Sequence, residues 1–174
     1  MTGQWRGRFL EDFRVGDVFR SRLGRTLSEA DNTWFTLLTM NTNQMHFNRP
    51  FAERTEFGER LVVSSLTLAV VLGLSVSDTS ENAVANLGWD EIKLPRPVVA
   101  GDTLWAESEV LGVRESRSRP SCGIVKIRTR GVNQRAEVVI EFTRSFMIFK
   151  RSAPEVDAVF PETASPWTVG GEPA

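Results

Sequence analysis

The stretch LVVSSLTLAVVLGLSV, residues 61–76, is the longest apolar run in the chain. Ser64, Ser65, Thr67, Gly73 and Ser75 interrupt it, and it falls short of the roughly 20 mostly apolar residues that a membrane span needs. On a helical wheel its apolar side chains point to all sides, the pattern of a helix wrapped by protein rather than laid on a surface. The run therefore predicts a core helix over about 64–76, and the rest of the chain has to supply its cover.

Downstream the period changes from helix to strand. AVANLGWDEIKL (83–94) leads to Pro95 and Pro97, and a Gly101-Asp102 turn precedes TLWAESEVLGVRE (103–115). GIVKIRTRGVNQ (123–134) sets Lys126, Arg128 and Arg130 on one face against Val125, Ile127 and Thr129 on the other. NQRA reads as a hairpin turn, and EVVIEFTRSFMIFKR (137–151) as the last strand. Upstream, VFRSRLGRTLS (18–28) reads as an extended edge. Ser28 followed three residues later by Asp31 marks a helix start of the capping-box kind, and Trp34, Phe35, Leu37 and Leu38 recur at helical spacing, which predicts a short amphipathic helix over about 29–39. An edge strand, a helix, a buried helix and about four long antiparallel strands make an α+β domain with the sheet's apolar face against the helix. We expect one domain over 1–151 and a loosely ordered tail over 152–174, rich in Pro, Ala, Thr and Gly, in which Trp167 is the residue able to dock.

Composition narrows the function classes. The 174 residues are 41% hydrophobic and 25% charged with a net charge of −1, so no overall field favours nucleic acid or an anionic membrane. The lone Cys122 has no disulfide partner and no metal-ligand pattern around it, and the N-terminus lacks the apolar core of a secretion signal. A cytoplasmic protein without metal or redox cofactor is the expectation. No phosphate-binding glycine loop and no G-x-S-x-G frame is present.

The only histidine, His46, lies in LLTMNTNQMHFNRPF (37–51), between two predicted helices. Asn41, Thr42, Asn43, Gln44 and Asn48 surround it. Such residues are common in plain turns, where they bond their own backbone; an imidazole among donors and acceptors is also the setting of acid–base chemistry. Composition alone leaves both open.

The stretch LSEADNTWFTLLTMNTNQMHFNRPFAERTEFGERLV (27–62) resembles the active-site region of the MaoC-like, R-specific enoyl-CoA hydratase family. That family carries D-x-N-P-x-H-x-D, then an F-G turn and the central helix of a hot-dog fold. Here the spacing reads Asn41-Thr42-Asn43-Gln44-Met45-His46-Phe47-Asn48, with Phe57-Gly58 beyond. Residues 82–134 resemble the family's strand region, including its P-V-x-x-G-D-T-L turn at Pro97–Leu104, and look most like the branch that hydrates mesaconyl-CoA or dehydrates β-methylmalyl-CoA. The resemblance implies a hot-dog domain, a homodimer or higher homo-oligomer, and an acyl-CoA thioester as substrate, with coenzyme A only as part of it. It implies a lyase that reversibly hydrates an enoyl-CoA, with a short branched or a dicarboxylic acyl group as the candidates. It places His46 on the catalytic histidine and Asn41 on the catalytic aspartate.

Asn41 departs from the family pattern: an amide can hold a water but cannot take its proton. Asn48 and Gln44 replace a frequent Asp and Pro, and Ser64 replaces a glycine at the start of the central helix. The resemblance gives Asn43 a water-orienting role and makes the backbone N–H groups near Ser64 and Ser65 an oxyanion site. Glu56 or Asp31 are the carboxylates able to replace the missing one. Arg114, Arg117 and Arg119 read either as a solvated loop or as a cradle for coenzyme A phosphates. A hot-dog thioesterase and a non-catalytic acyl-CoA binder stay open as alternatives.

Overall fold

A computed structural model describes residues 7–156, Ala164, and the backbone of two short strands in the tail. The expected docking of Trp167 lies outside the described residues. Two short strands, β1 (Val18–Arg20) and β2 (Arg25–Thr26), precede α1 (Glu29–Leu38) and the four-residue α2 (Arg49–Ala52). The central helix α3 (Ser64–Thr79) is followed by the long strands β3 (Ala83–Lys93), β4 (Thr103–Glu115), β5 (Cys122–Asn133) and β6 (Val138–Phe149). In the tail β7 (Thr168–Val169) pairs with β8 (Glu172–Pro173).

All pairings in the main sheet are antiparallel, in the order β1-β4-β5-β6-β3, with β2 also on β4. The sheet curls around α3, giving the α+β hot-dog architecture expected. Leu66 and Val71 of the helix pack with Leu104, Ala106, Val139, Ile140 and Phe142 of the sheet. Close approach depends on Gly131 of β5, because a Cβ there would stand 2.5 Å from a Val71 methyl and 2.8 Å from an Ile140 methyl. A second cluster, Leu10, Phe13, Val110, Val125, Ile127, Phe146 and Ile148, closes the other end. Among the described residues no helix is long and apolar enough to cross a membrane.

Three differences from the expected fold have physical causes. The helix α3 runs three residues past the expected 76. Arg144, at an inward position of β6 between Phe142 and Phe146, donates from Nη2 to Thr79 Oγ1 (2.9 Å) and Ser80 Oγ (3.0 Å), and so holds the last helical turn. A cation at a helix C-terminus also complements the helix dipole. Burial pushes the Arg144 guanidinium down to about 10, so it stays charged at neutral pH.

The wrapping of α3, secondly, is incomplete within one chain: Ser65, Ala69, Gly73, Val76 and Ser77 are exposed along one side. Thirdly, of the apolar residues expected along α1 only Phe35 packs against the core. The helix's capping box forms as expected, with Asp31 N–H on Ser28 Oγ (3.1 Å) and Ser28 N–H on Asp31 Oδ2 (2.8 Å). Yet the buried residues are Asn32 and Thr36, while Trp34, Leu37 and Leu38 are 66%, 67% and 77% exposed.

The basic face of β5 is the solvated outer face of the sheet, where Arg128 meets Glu109 and Arg130 meets Glu107. At the Gly101-Asp102 turn, Asp102 is 2% exposed. It accepts from Val99 N–H (3.2 Å), Gln134 Nε2 (2.7 Å) and Arg135 Nη1 (2.9 Å), so one carboxylate ties the segment before β4 to the β5–β6 hairpin. Burial pushes its carboxyl up, but the hydrogen bonds from Gln134, Arg135 and Val99 outweigh this and hold it below the ordinary value. A carboxyl lowered by folding stabilises the protein above its unfolded value, and that contribution is lost as pH falls through the folded one. Asp102→Asn is therefore expected to destabilise by about 1–3 kcal/mol at pH 7. In melts taken from pH 7 down to pH 3 the gap to the parent protein should narrow at the acid end; a gap independent of pH would refute the assignment.

Candidate active site

The loop that carries His46 begins where α1 stops. Met40 takes a left-handed backbone (φ 51°), and Asn41 N–H reaches back to Thr36 O (3.0 Å), which ends the helix and aims the chain away from it. From there the amide side chains build the loop. Asn41 Oδ1 accepts from Asn43 N–H (3.0 Å), and Asn43 Oδ1 accepts from Met45 N–H (3.1 Å) to cap a single 3₁₀ turn at Gln44–His46. Asn48 Oδ1 accepts from Phe51 N–H (3.2 Å) and caps α2, while its Nδ2 donates to Gln44 Oε1. Asn43 and Asn48 thus do the turn chemistry typical of asparagine.

The half-buried His46 sits at the end of the 3₁₀ turn, and its Nδ1 lies 2.9 Å from Leu61 O. A carbonyl oxygen only accepts, so Nδ1 carries the proton and Nε2 presents a lone pair. Asn32 of α1, 6% exposed, completes the junction. Its Nδ2 donates to His46 O (3.0 Å) and to Leu61 O (3.1 Å), and its Oδ1 accepts from Val63 N–H (3.0 Å). Val63 is the N-cap residue of α3 and offers no capping side chain. The exposed Ser64 and Ser65 come next, and the leading N–H groups of a helix have no acceptor within it. A basic nitrogen and a helix N-terminus are therefore anchored three or four residues apart, on Leu61 and on Ser64-Ser65. That arrangement can move a proton beside an oxygen that is gaining negative charge.

The other expected residues fall as follows. Asp31 is taken up by Ser28 and by Arg25, and the Ser28 N–H, with its hydroxyl and Arg25, holds the carboxyl below its ordinary value. Glu56 is exposed in the turn after α2. Neither carboxylate is bonded to the His46 loop. Arg114, Arg117 and Arg119 are exposed at the β4–β5 connection. The site end of β4 is marked by the bridge between Leu61 and Val99. The arginines lie at the other end of this 13-residue strand, about 40 Å away along it. Within one chain the structure does not bring them to His46. Asn32 was missed by sequence reasoning, because it lies off the apolar stripe of Trp34, Leu37 and Leu38 and its partners are 14 to 31 residues away.

Cavity size does not mark the site. A groove of about 900 Å³ follows the open side of α3 past Val70, Gly73, Leu74 and Val76, and none of the expected site residues lines it. A smaller polar cleft of about 140 Å³ reaches Asn32 from the outside, where Arg49 and Arg60 both donate to Glu29 (3.0 and 2.7 Å).

The profile of a family described as mesaconyl-CoA hydratase matches residues 2–166. A mesaconyl-CoA hydratase of Cereibacter sphaeroides is 37% identical over 160 residues, which cover 91% of this chain and 46% of that protein. A β-methylmalyl-CoA dehydratase of Chloroflexus aurantiacus is 35% identical over 158 residues, 90% of this chain and 45% of that one. The crystal structure of a MaoC domain protein dehydratase from Chloroflexus aurantiacus superposes with a TM-score of 0.82 at 34% identity, covering 95% of this chain and 46% of that one. The chain thus spans about half the length of the curated relatives it matches. With that match running through the His46 loop, the central helix and all four long strands, this chain belongs to the mesaconyl-CoA hydratase family.

Proposed function

We propose that this chain reversibly adds water across the double bond of an enoyl-CoA thioester, with a short branched dicarboxylic acyl group as the preferred substrate. The observation that carries the reading is the anchoring of His46 Nδ1 on the oxygen of Leu61, three residues before Ser64 at the start of α3; in this reading Nε2 is the base. One relative is named for adding water and another for removing it, the two directions of one reaction.

In the forward direction Nε2 takes a proton from water as the water oxygen bonds the β-carbon. The π electrons of the double bond move toward the thioester oxygen, where the N–H groups of Ser64 and Ser65 receive the charge. Nε2 then returns the proton to the α-carbon, so that one water is consumed and His46 ends as it began. The amide of Asn41 holds the water without taking part in the proton transfer, and Asn43 supports it by shaping the turn. With no carboxylate in the loop, a single group does all the proton work.

The partner in this reading is a second copy of the chain. Trp34, Leu37, Leu38 and Met40 leave an apolar ridge on the outer side of α1, beside the site. At the sheet's edge β3 exposes Leu87, Trp89 and Ile92, and Leu94 follows directly after it. Two such patches on one small domain favour an interface. Relatives about twice as long hold enough chain for two such units.

Incubation with a panel of enoyl-CoA and 3-hydroxyacyl-CoA esters, followed by absorbance of the conjugated thioester and by free thiol, tests the chemistry. Loss or gain of conjugation without thiol release is expected. Thiol release would mean a thioesterase, and silence in both signals, with a melting shift on adding ester, a binder. His46→Ala should abolish turnover while costing only about 1 kcal/mol of stability for the lost bond to Leu61. Asn41→Asp keeps the turn acceptor and adds a base, so turnover should rise, by as much as about 100-fold; an unchanged rate would remove residue 41 from the mechanism. For assembly, sedimentation should give twice the 19.5 kDa of one chain, and Trp89→Lys should shift it toward one. A parent protein that sediments as a monomer at every concentration would end the two-copy reading.

A further inference from the structure

Asn32 spends its side chain entirely on the backbone of the two segments that hold the reacting groups. Its Nδ2 donors go to His46 O and Leu61 O at 3.0 and 3.1 Å, and its Oδ1 takes the N–H of Val63 at 3.0 Å. The Leu61 oxygen has two lone pairs, and Asn32 Nδ2 and His46 Nδ1 share them. Thr36, one turn along, is also buried, and donates to Asn32 O, so the base of this amide is itself fixed.

We propose that Asn32 is a positioning residue that sets the tautomer of His46 and the choice of N–H donors at the start of α3. It holds the Leu61 carbonyl where Nδ1 must donate to it, so the neutral imidazole is Nδ1–H with Nε2 bare. It also occupies the N–H of Val63, which turns the next two, Ser64 and Ser65, into the donors left for the thioester oxygen. An apolar residue at 32 would leave His46 O and Val63 N–H without this partner and Leu61 O with one donor in place of two. The role rests on the reading of His46 as the proton carrier, and half of it can be tested without that reading.

His46 is the only histidine, so in tag-free protein labelled with ¹⁵N-histidine the two-bond couplings of one ring report one site. Above the pH at which the ring is neutral, the parent protein should show the Nδ1–H form. In Asn32→Asp the second carboxylate oxygen meets the His46 and Leu61 oxygens as one acceptor facing two others, and the ring should move toward the Nε2–H form that imidazole prefers in water. Turnover should drop about 100-fold with KM little changed, since no contact with the ester is removed. Asn32→Ala should give the same direction in both readouts. An Nε2–H ring in the parent protein, or full kcat in both variants, overturns the inference. Should no ester be turned over by the parent protein, the hydratase reading fails by itself, and the tautomer in parent and variants still decides the role of Asn32. Should neither variant fold, Asn32→Ser, a smaller change at the same position, takes their place with the same two readouts.

Discussion

A helix apolar on all sides has to be dried on all sides, and one curled sheet cannot do that. From this constraint much of the molecule follows. The sheet comes as close to α3 as a missing side chain at Gly131 allows, and Val71 fills the space. The segments before and after the helix are tied down beside its N-terminal end, by Asn32 to Val63 and by Val62 N–H to Val98 O. What remains open is the side of Ser65, Ala69 and Gly73, together with the apolar outer faces of α1 and β3.

The elements themselves were legible because each carries a local signal. The capping box at Ser28 and Asp31 forms as the spacing predicts, and β4 occupies the residues that the alternation assigns to it. The direction in which α1 faces was not legible. Trp34, Leu37 and Leu38 share a stripe, and a stripe ordinarily marks the core side of a helix. Here Asn32 and Thr36 face inward beside half-buried Phe35: the neighbouring loops present to Asn32 two carbonyls and an N–H that only a polar group can satisfy, and Thr36 bonds back to its own helix. Those partners lie 14 to 31 residues away in the chain, so no window of sequence contains the reason. The extra turn of α3 was hidden likewise, because Arg144 reads as a charged residue in a strand until the fold sets it beneath Thr79 and Ser80.

The polar loop contained two answers at once. Asn43 and Asn48 act as turn-builders, as asparagines in such loops commonly do. The histidine among them is anchored through one ring nitrogen, and the other makes no hydrogen bond among the described residues. An aspartate at position 41 would accept the same turn bond as Asn41, so the geometry of the loop does not depend on the difference between amide and acid; only the supply of protons does.

The exposed apolar ridge of α1 has a further consequence in terms of mass action. Were the second unit part of the same polypeptide, it would be held near at a fixed effective concentration. Coverage of Trp34, Leu37 and Leu38 by a separate molecule would instead make folding stability a function of how much of the protein is present. Dilution would then act on this chain as a mild denaturant, felt first at the ridge beside His46.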